Sequence, residues 1–193
     1  MGASKRLTWR RAVVYAAIAA LLLLARPQPA LFAIGATLVA LGMALRLWAA
    51  GHLRKNKKVV TSGPYAHVKN PLYLGTCLAV IGFCIAASDP HGPSRWVLYA
   101  LLPFALVVFF GLYLPYKKRV EGARLLKRFG ESAADYLRSV PDFIPSPRRW
   151  PAAEALPWNA ALIRENSEQE TLAVALLGLL LVAAKFFIPW PAW

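Results

Sequence analysis

An all-α, polytopic transmembrane bundle of about five spans is the fold class predicted by this sequence of 193 residues. Hydrophobic residues make up 58% of it and charged residues only 17%, more apolar than a globular domain of this length usually is. The apolar residues gather in five runs that approach or reach the ~20 residues a helix needs to cross ~30 Å of hydrocarbon. Basic residues cluster at the ends of these runs.

The first run, 9–24, has a charged start. It is followed by Arg26-Pro27-Gln28-Pro29 rather than a small-residue cleavage site, so it reads as a retained helix and not a signal peptide. The other runs are 30–50, 72–88, 97–116 and 171–188, leaving polar segments 51–71 and 117–170 within a single integral-membrane domain spanning 1–193. Lys5, Arg6, Arg10 and Arg11 precede the first run; Arg54, Lys55, Lys57, Lys58 and Lys69 follow the second; ten more basic residues lie from Lys117 to Arg164. The two other loops contribute Arg26 and Arg95. The positive-inside rule therefore puts the amino terminus and both polar segments in the cytoplasm and the carboxyl terminus outside, with Trp190 and Trp193 as interfacial anchors. A net charge of +14 is explained by this topology and by contact with anionic lipid headgroups, without nucleic-acid binding.

Cys77 and Cys84 are too far apart along one helix to pair and read as small packing residues. His52, His67 and His91 are scattered, so no metal site is expected. Eight of the nine acidic residues lie between the last two spans, where a polar site could be built. There, Leu126, Phe129, Ala133, Tyr136, Leu137 and Val140 recur at helical spacing opposite Arg124, Lys127, Glu131, Asp135 and Arg138. Gly130 interrupts that amphipathic helix, and Ser132 as cap with Asp135 completing a capping box restarts it. Pro141, Pro145 and Pro147 end it, and the Trp- and Pro-rich stretch from Ser146 to Asn159 reads as lying on the membrane surface.

The most informative stretch is VVTSGPYAHVKNPLYLG, residues 59–75. Thr61-Ser62-Gly63-Pro64 has the chemistry of a tight turn, and Asn70-Pro71 starts the third span with Pro in its first turn. Between them Tyr65, His67 and Tyr73 stand near a helix start, whose free amides favour an anionic group. Interfacial anchoring of a helix would use the same residues.

This stretch resembles the signature Gly-Pro-Tyr-x-x-x-Arg-His-Pro-x-Tyr-x-Gly of the integral-membrane methyltransferases that include isoprenylcysteine carboxyl methyltransferases and phospholipid N-methyltransferases. The matching residues run from Gly63-Pro64-Tyr65 through Lys69-Asn70-Pro71 to Tyr73 and Gly75. A second block, Glu121, Leu125, Phe129-Gly130, Tyr136 and Val140-Pro141, is similar to the family's carboxyl-terminal pattern. The resemblance implies S-adenosylmethionine as cofactor, with S-adenosylhomocysteine as product. It puts the cofactor-binding positions at Lys57, Lys58, Val59, Val60, Tyr65, Asn70, Pro71, Leu72, Tyr73 and Glu121. It makes Lys117 and Glu121 the candidate catalytic pair, with Lys117 facing the substrate; an i,i+4 surface ion pair is the plainer reading of the same two residues.

Asn70 stands where the family has His and cannot titrate near neutral pH, which suits binding rather than acid–base work. Lys69 and Lys117 replace Arg and lose its bidentate fork, weakening the case for an isoprenylcysteine carboxylate. The implied activity is methyl transfer to a lipophilic acceptor, isoprenylcysteine-like or a phospholipid headgroup, arriving from the bilayer of a bacterial inner membrane. Membrane lipids are the expected partners. Two other classes stay open: an NADPH-dependent membrane sterol-type reductase, and a non-catalytic lipid-binding protein, for which Asn70 and Gly122 are the signs.

Overall fold

The computed structural model describes residues 18–54 and 58–188, apart from the side chain of Ser132. The expected first span over 9–17, Lys57, Trp190 and Trp193 lie outside the described residues. Among the described residues the fold is all helical. The end of the first run forms a helical stretch, α1, over 18–24. It is followed by α2 (Pro29–Ala50), a short 3-10 turn (Gly63–Ala66) and α3 (Pro71–Ala86). Helix α4 (Val97–Phe129), α5 (Glu131–Ser139), α6 (Ala161–Glu165) and α7 (Glu168–Ala184) complete the chain.

Among the described residues two helices are long and apolar enough to cross a membrane: α2 with 22 residues and α4 with 33. The third and fifth expected spans form shorter helices of 16 and 17 residues. Both α2 and α3 begin on a proline, whose fixed backbone angle and missing amide hydrogen suit a first turn.

The centre of the fold is the α2–α3 pair. Gly35 meets the Gly82 carbonyl and Ala86, and Gly42 meets the Gly75 carbonyl and Ala79, so the backbones touch where side chains would otherwise hold them apart. Helix α7 closes this pair through Ala175, packed with Val39, Met43 and Ala79, and through Val182, packed with Cys84 and Val97. Cys77 and Cys84 are buried free thiols.

Helix α4 is longer than the fourth expected span. It crosses Pro103 and Pro115 without breaking, and a π-helical stretch stands just ahead of each, at Val97–Leu101 and Val108–Tyr113. The wider π turn relieves the clash between a proline ring and the carbonyl four residues back. The helix then runs on to Phe129 and stops at Gly130, whose φ of 58° is open to glycine at little cost. The next helix starts ahead of the expected capping box. Helix α5 starts at Glu131 with Gly130 as its N-cap, so Ser132 and Asp135 fall inside the helix.

The segment from Pro141 to Asn159 folds back along the loop between α2 and α3. The amides of Ser146, Trp150 and Asn159 donate to the carbonyls of His67, Ala66 and Gly51, and the amide of Glu154 donates to Thr61 Oγ1. This strap ties residues distant in sequence into one layer at the end of the bundle.

Candidate cofactor cleft

Three elements meet at that end to enclose a cleft of about 420 Å³. The loop before α3 supplies one wall, the first turn of α3 the floor, and the polar end of α4 the other wall. Lys58, Val59, Val60, Tyr65, Asn70, Pro71, Leu72, Tyr73, Lys117 and Glu121 all line it. Every described residue expected at the site from the sequence is therefore in one place, although they come from two segments distant in sequence.

The contact between the two segments is specific. Tyr73 Oη donates to Glu121 Oε1 at 2.7 Å. Lys117 Nζ lies 3.7 Å from the same oxygen and 5.9 Å from the ring centroids of both Tyr73 and Tyr113, which pack edge to face. The i,i+4 ion pair is thus present, and the lysine is also seated over two aromatic rings.

Other positions are held by their surroundings. Tyr65 is buried, and burial first, then the neighbouring Tyr136, Glu168 and Glu121, pushes its phenol well above the ordinary range, so it stays neutral. Its backbone carbonyl accepts from Tyr136 Oη at 3.0 Å. Gly63 has a φ of 59°, and a Cβ there would run into the His52 ring, so the turn expected at this position needs glycine for two reasons. Ser62 Oγ sits 3.1 Å from His52 Nδ1, and burial lowers the pKa of that imidazole, favouring the neutral form.

Asn70 faces a different partner from the one its motif position suggests. Its amide donates to the Asp142 carbonyl at 2.9 Å, so it anchors the strap while its flank lines the cleft. Lys69 does the same, pairing with the Asp142 carboxylate at 2.7 Å and donating to the Leu137 carbonyl at 2.7 Å. Lys118 also pairs with Asp142. Burial alone would raise the Asp142 pKa, but its hydrogen bonds to Lys118 and Lys69 win and hold it below the usual carboxylate range. His67 turns away from the cleft and bonds to the Ser146 carbonyl at 2.9 Å.

Sequence reasoning missed Leu53, Arg54, Arg124 and Arg128 as lining residues. Arg124 stands on the polar side of the expected amphipathic helix, where charge reads as solvation, and no signal in the sequence singles out Arg128. Leu125, Phe129 and Tyr136 were visible in the second motif block without a role, and they form apolar parts of the wall.

A volume of about 420 Å³ falls within the ~300–1,000 Å³ of small-molecule sites. Aromatic and aliphatic surface from Tyr65, Tyr73 and Leu72 could cover a nucleoside, Glu121 could take an ammonium or hydroxyl donor, and the arginines could take a carboxylate. These residues fit a charged nucleoside cofactor such as S-adenosylmethionine. Among the described residues no group of three or more His, Cys, Asp or Glu side chains comes together as a metal site.

The described residues form a helical bundle with a polar cleft at one end, lined by residues of both motif blocks. Residues 30–132 match the phospholipid methyltransferase family, and the chain belongs to that family. It is 34% identical over 120 residues to the cobalt-zinc-cadmium resistance protein CzcN of Cupriavidus metallidurans, covering 61% of this chain and 50% of that protein. It is 32% identical over 114 residues to the nickel-cobalt-cadmium resistance protein NccN of Alcaligenes xylosoxydans xylosoxydans, covering 58% of this chain and 47% of that one. The match thus spans about half the length of these curated relatives. No solved structure matches.

Proposed function

We propose that the chain transfers a methyl group from S-adenosylmethionine to a lipophilic acceptor at the membrane. The observation that carries this reading is the Tyr73–Glu121 hydrogen bond, which joins the family's two motif blocks across a single cleft. Family membership supports methyl transfer as the chemistry.

The bound cofactor would bring an already activated sulfonium methyl, so the protein's work is alignment and exclusion of water. Tyr73 fixes the Glu121 carboxylate, which binds a donor on the cofactor. Tyr65 and Leu72 shape the apolar part of the pocket. Lys117, seated over Tyr73 and Tyr113, orients an anionic group on the acceptor. The acceptor reaches the cleft beside α4, whose apolar flank faces outward at Val107, Leu112 and Tyr113. In the proposed topology the five spans lie in a bacterial inner membrane with the cleft on the cytoplasmic side, the amino terminus cytoplasmic and the carboxyl terminus outside.

The test is calorimetric binding of S-adenosylmethionine, S-adenosylhomocysteine and NADPH to detergent-purified protein, with Glu121→Gln alongside. The first two are expected to bind and to lose about tenfold in the variant, the cost of one hydrogen bond to a charged group. Binding of NADPH alone would replace this reading with a reductase. Binding of none would favour a non-catalytic lipid-binding role.

A further inference from the structure

Arg46, near the end of α2, donates four hydrogen bonds from its planar fork. Nε donates to Glu168 Oε2 at 2.9 Å and Nη2 to Glu168 Oε1 at 2.7 Å, a bidentate pair whose side chains are 14% and 6% exposed. Nη1 donates to the Leu72 carbonyl at 3.1 Å and to Thr76 Oγ1 at 2.6 Å. The Thr76 hydroxyl in turn donates to the Leu72 carbonyl at 3.0 Å. One guanidinium therefore joins α2, the first turn of α3 and the first residue of α7.

A buried ion pair gains little over apolar packing unless it also fixes a geometry. Here the geometry lies next to the cleft. Leu72 lines it, and Tyr73, the next residue, carries the hydroxyl that holds Glu121. Gly75 makes room for the arginine, because a Cβ there would meet Arg46 Cγ and the Gly42 carbonyl. The last glycine of the motif thus serves the passage of this side chain as well as helix packing. At the other end, Glu168 follows Ser167, whose φ of 58° turns the chain sharply so that α7 begins with its carboxylate facing Arg46. Glu168 and α7 lie beyond the residues that match the family.

We infer that Arg46 is a positioning residue for the cleft: it sets the first turn of α3, and through it Tyr73 and the Tyr73–Glu121 bond, while Glu168 orients the guanidinium. For the identity of the ligand so positioned, the inference rests on the methyltransferase reading. A simple staple between helices would need the ion pair alone, whereas a positioning role needs the bonds to Leu72 and Thr76 as well.

The charge-swapped protein Arg46→Glu/Glu168→Arg separates these roles, because glutamate at 46 can pair with arginine at 168 but cannot donate to the Leu72 carbonyl. Three quantities are measured: the melting temperature, hydrogen exchange at the amides of Leu74 to Cys77 without cofactor, and S-adenosylmethionine affinity. The expected swap melts near wild type, exchanges about tenfold faster in that turn and binds about tenfold more weakly. A swap with wild-type exchange and affinity overturns the inference. If the swap does not fold, Arg46→Lys carries the same comparison, since lysine keeps the charge and loses the fork; unchanged exchange and affinity there overturn it equally. Wild-type protein that binds no S-adenosylmethionine would sink the methyltransferase reading while the exchange comparison still decides the positioning role.

Discussion

The two walls of the cleft are held by different physics. On the α2–α3 side, backbones touch through Gly35, Gly42, Gly75 and Gly82, and Val39 and Cys84 are almost wholly buried. On the α4 side no residue from Leu102 to Phe129 is buried, and Val107 and Leu112 are each 68% exposed. Packing fixes one wall. The other is fastened by side chains, chiefly Tyr73 to Glu121 and Lys118 to Asp142. A cleft built this way has one side fixed by packing and another that depends on its polar fastenings.

Substitutions break or sharpen this contrast by amounts that fall from the centre outward. Removing one half of the buried pair by Glu168→Ala leaves the Arg46 charge uncompensated and is expected to cost about 3–5 kcal/mol, read by thermal or chemical unfolding in detergent. Gly82→Ala puts a methyl group against the Gly35 carbonyl and Val39, and should cost about 1–3 kcal/mol because backbone must give way. Tyr73→Phe removes the hydroxyl that crosses the cleft; it should cost about 0.5–1.5 kcal/mol and weaken cofactor binding in a calorimetric titration. Gly122→Ala, the same change on the other wall, has nothing within 4 Å to strike and should stabilise α4 by about 0.5–1 kcal/mol. Opposite signs at Gly82 and Gly122 would confirm the contrast, and equal costs would end it.

The smallest effect is a pH dependence. Asp142 has a folded-state pKa below its unfolded value of ~3.9, so its contribution is present above that pH and is lost as pH falls through the folded value. The wild type is therefore expected to lose more stability than Asp142→Asn between about pH 5 and 3. Identical acid profiles would show that Lys69 and Lys118 do not depend on this carboxylate.

The turn before α3, the start of α3 and most of the cleft's lining residues were legible in the sequence because they use local signals. Gly63-Pro64 and Asn70-Pro71 announce a turn and a helix start wherever they occur, and the two motif blocks name their own residues. What was not legible depended on distance or on competition between signals. Arg46 and Glu168 are 122 residues apart, and nothing in either neighbourhood points to the other. The strap from Pro141 to Asn159 looked like a surface segment because its pairing with the 51–67 loop uses backbone groups, which composition does not reveal. Ser132 and Asp135 satisfied a capping pattern, yet Gly130 at positive φ ends one helix and caps the next before that pattern can act. The fourth expected span ended at Tyr116, where the apolar run gives way to charge, whereas the helix continues through that change to Phe129.

The proposed role of the cleft between Tyr73 and Glu121 is to align a methyl donor with a membrane-borne acceptor. Its most direct test is transfer of a radiolabelled methyl group from S-adenosylmethionine into the organic-extractable fraction of native membranes, comparing wild type, Tyr73→Phe and Glu121→Gln at equal folded protein. Label is expected in the lipid fraction, to fall with Tyr73→Phe and to be nearly lost with Glu121→Gln. Label that is equally strong in all three proteins, or that never exceeds membranes lacking the protein, would contradict it.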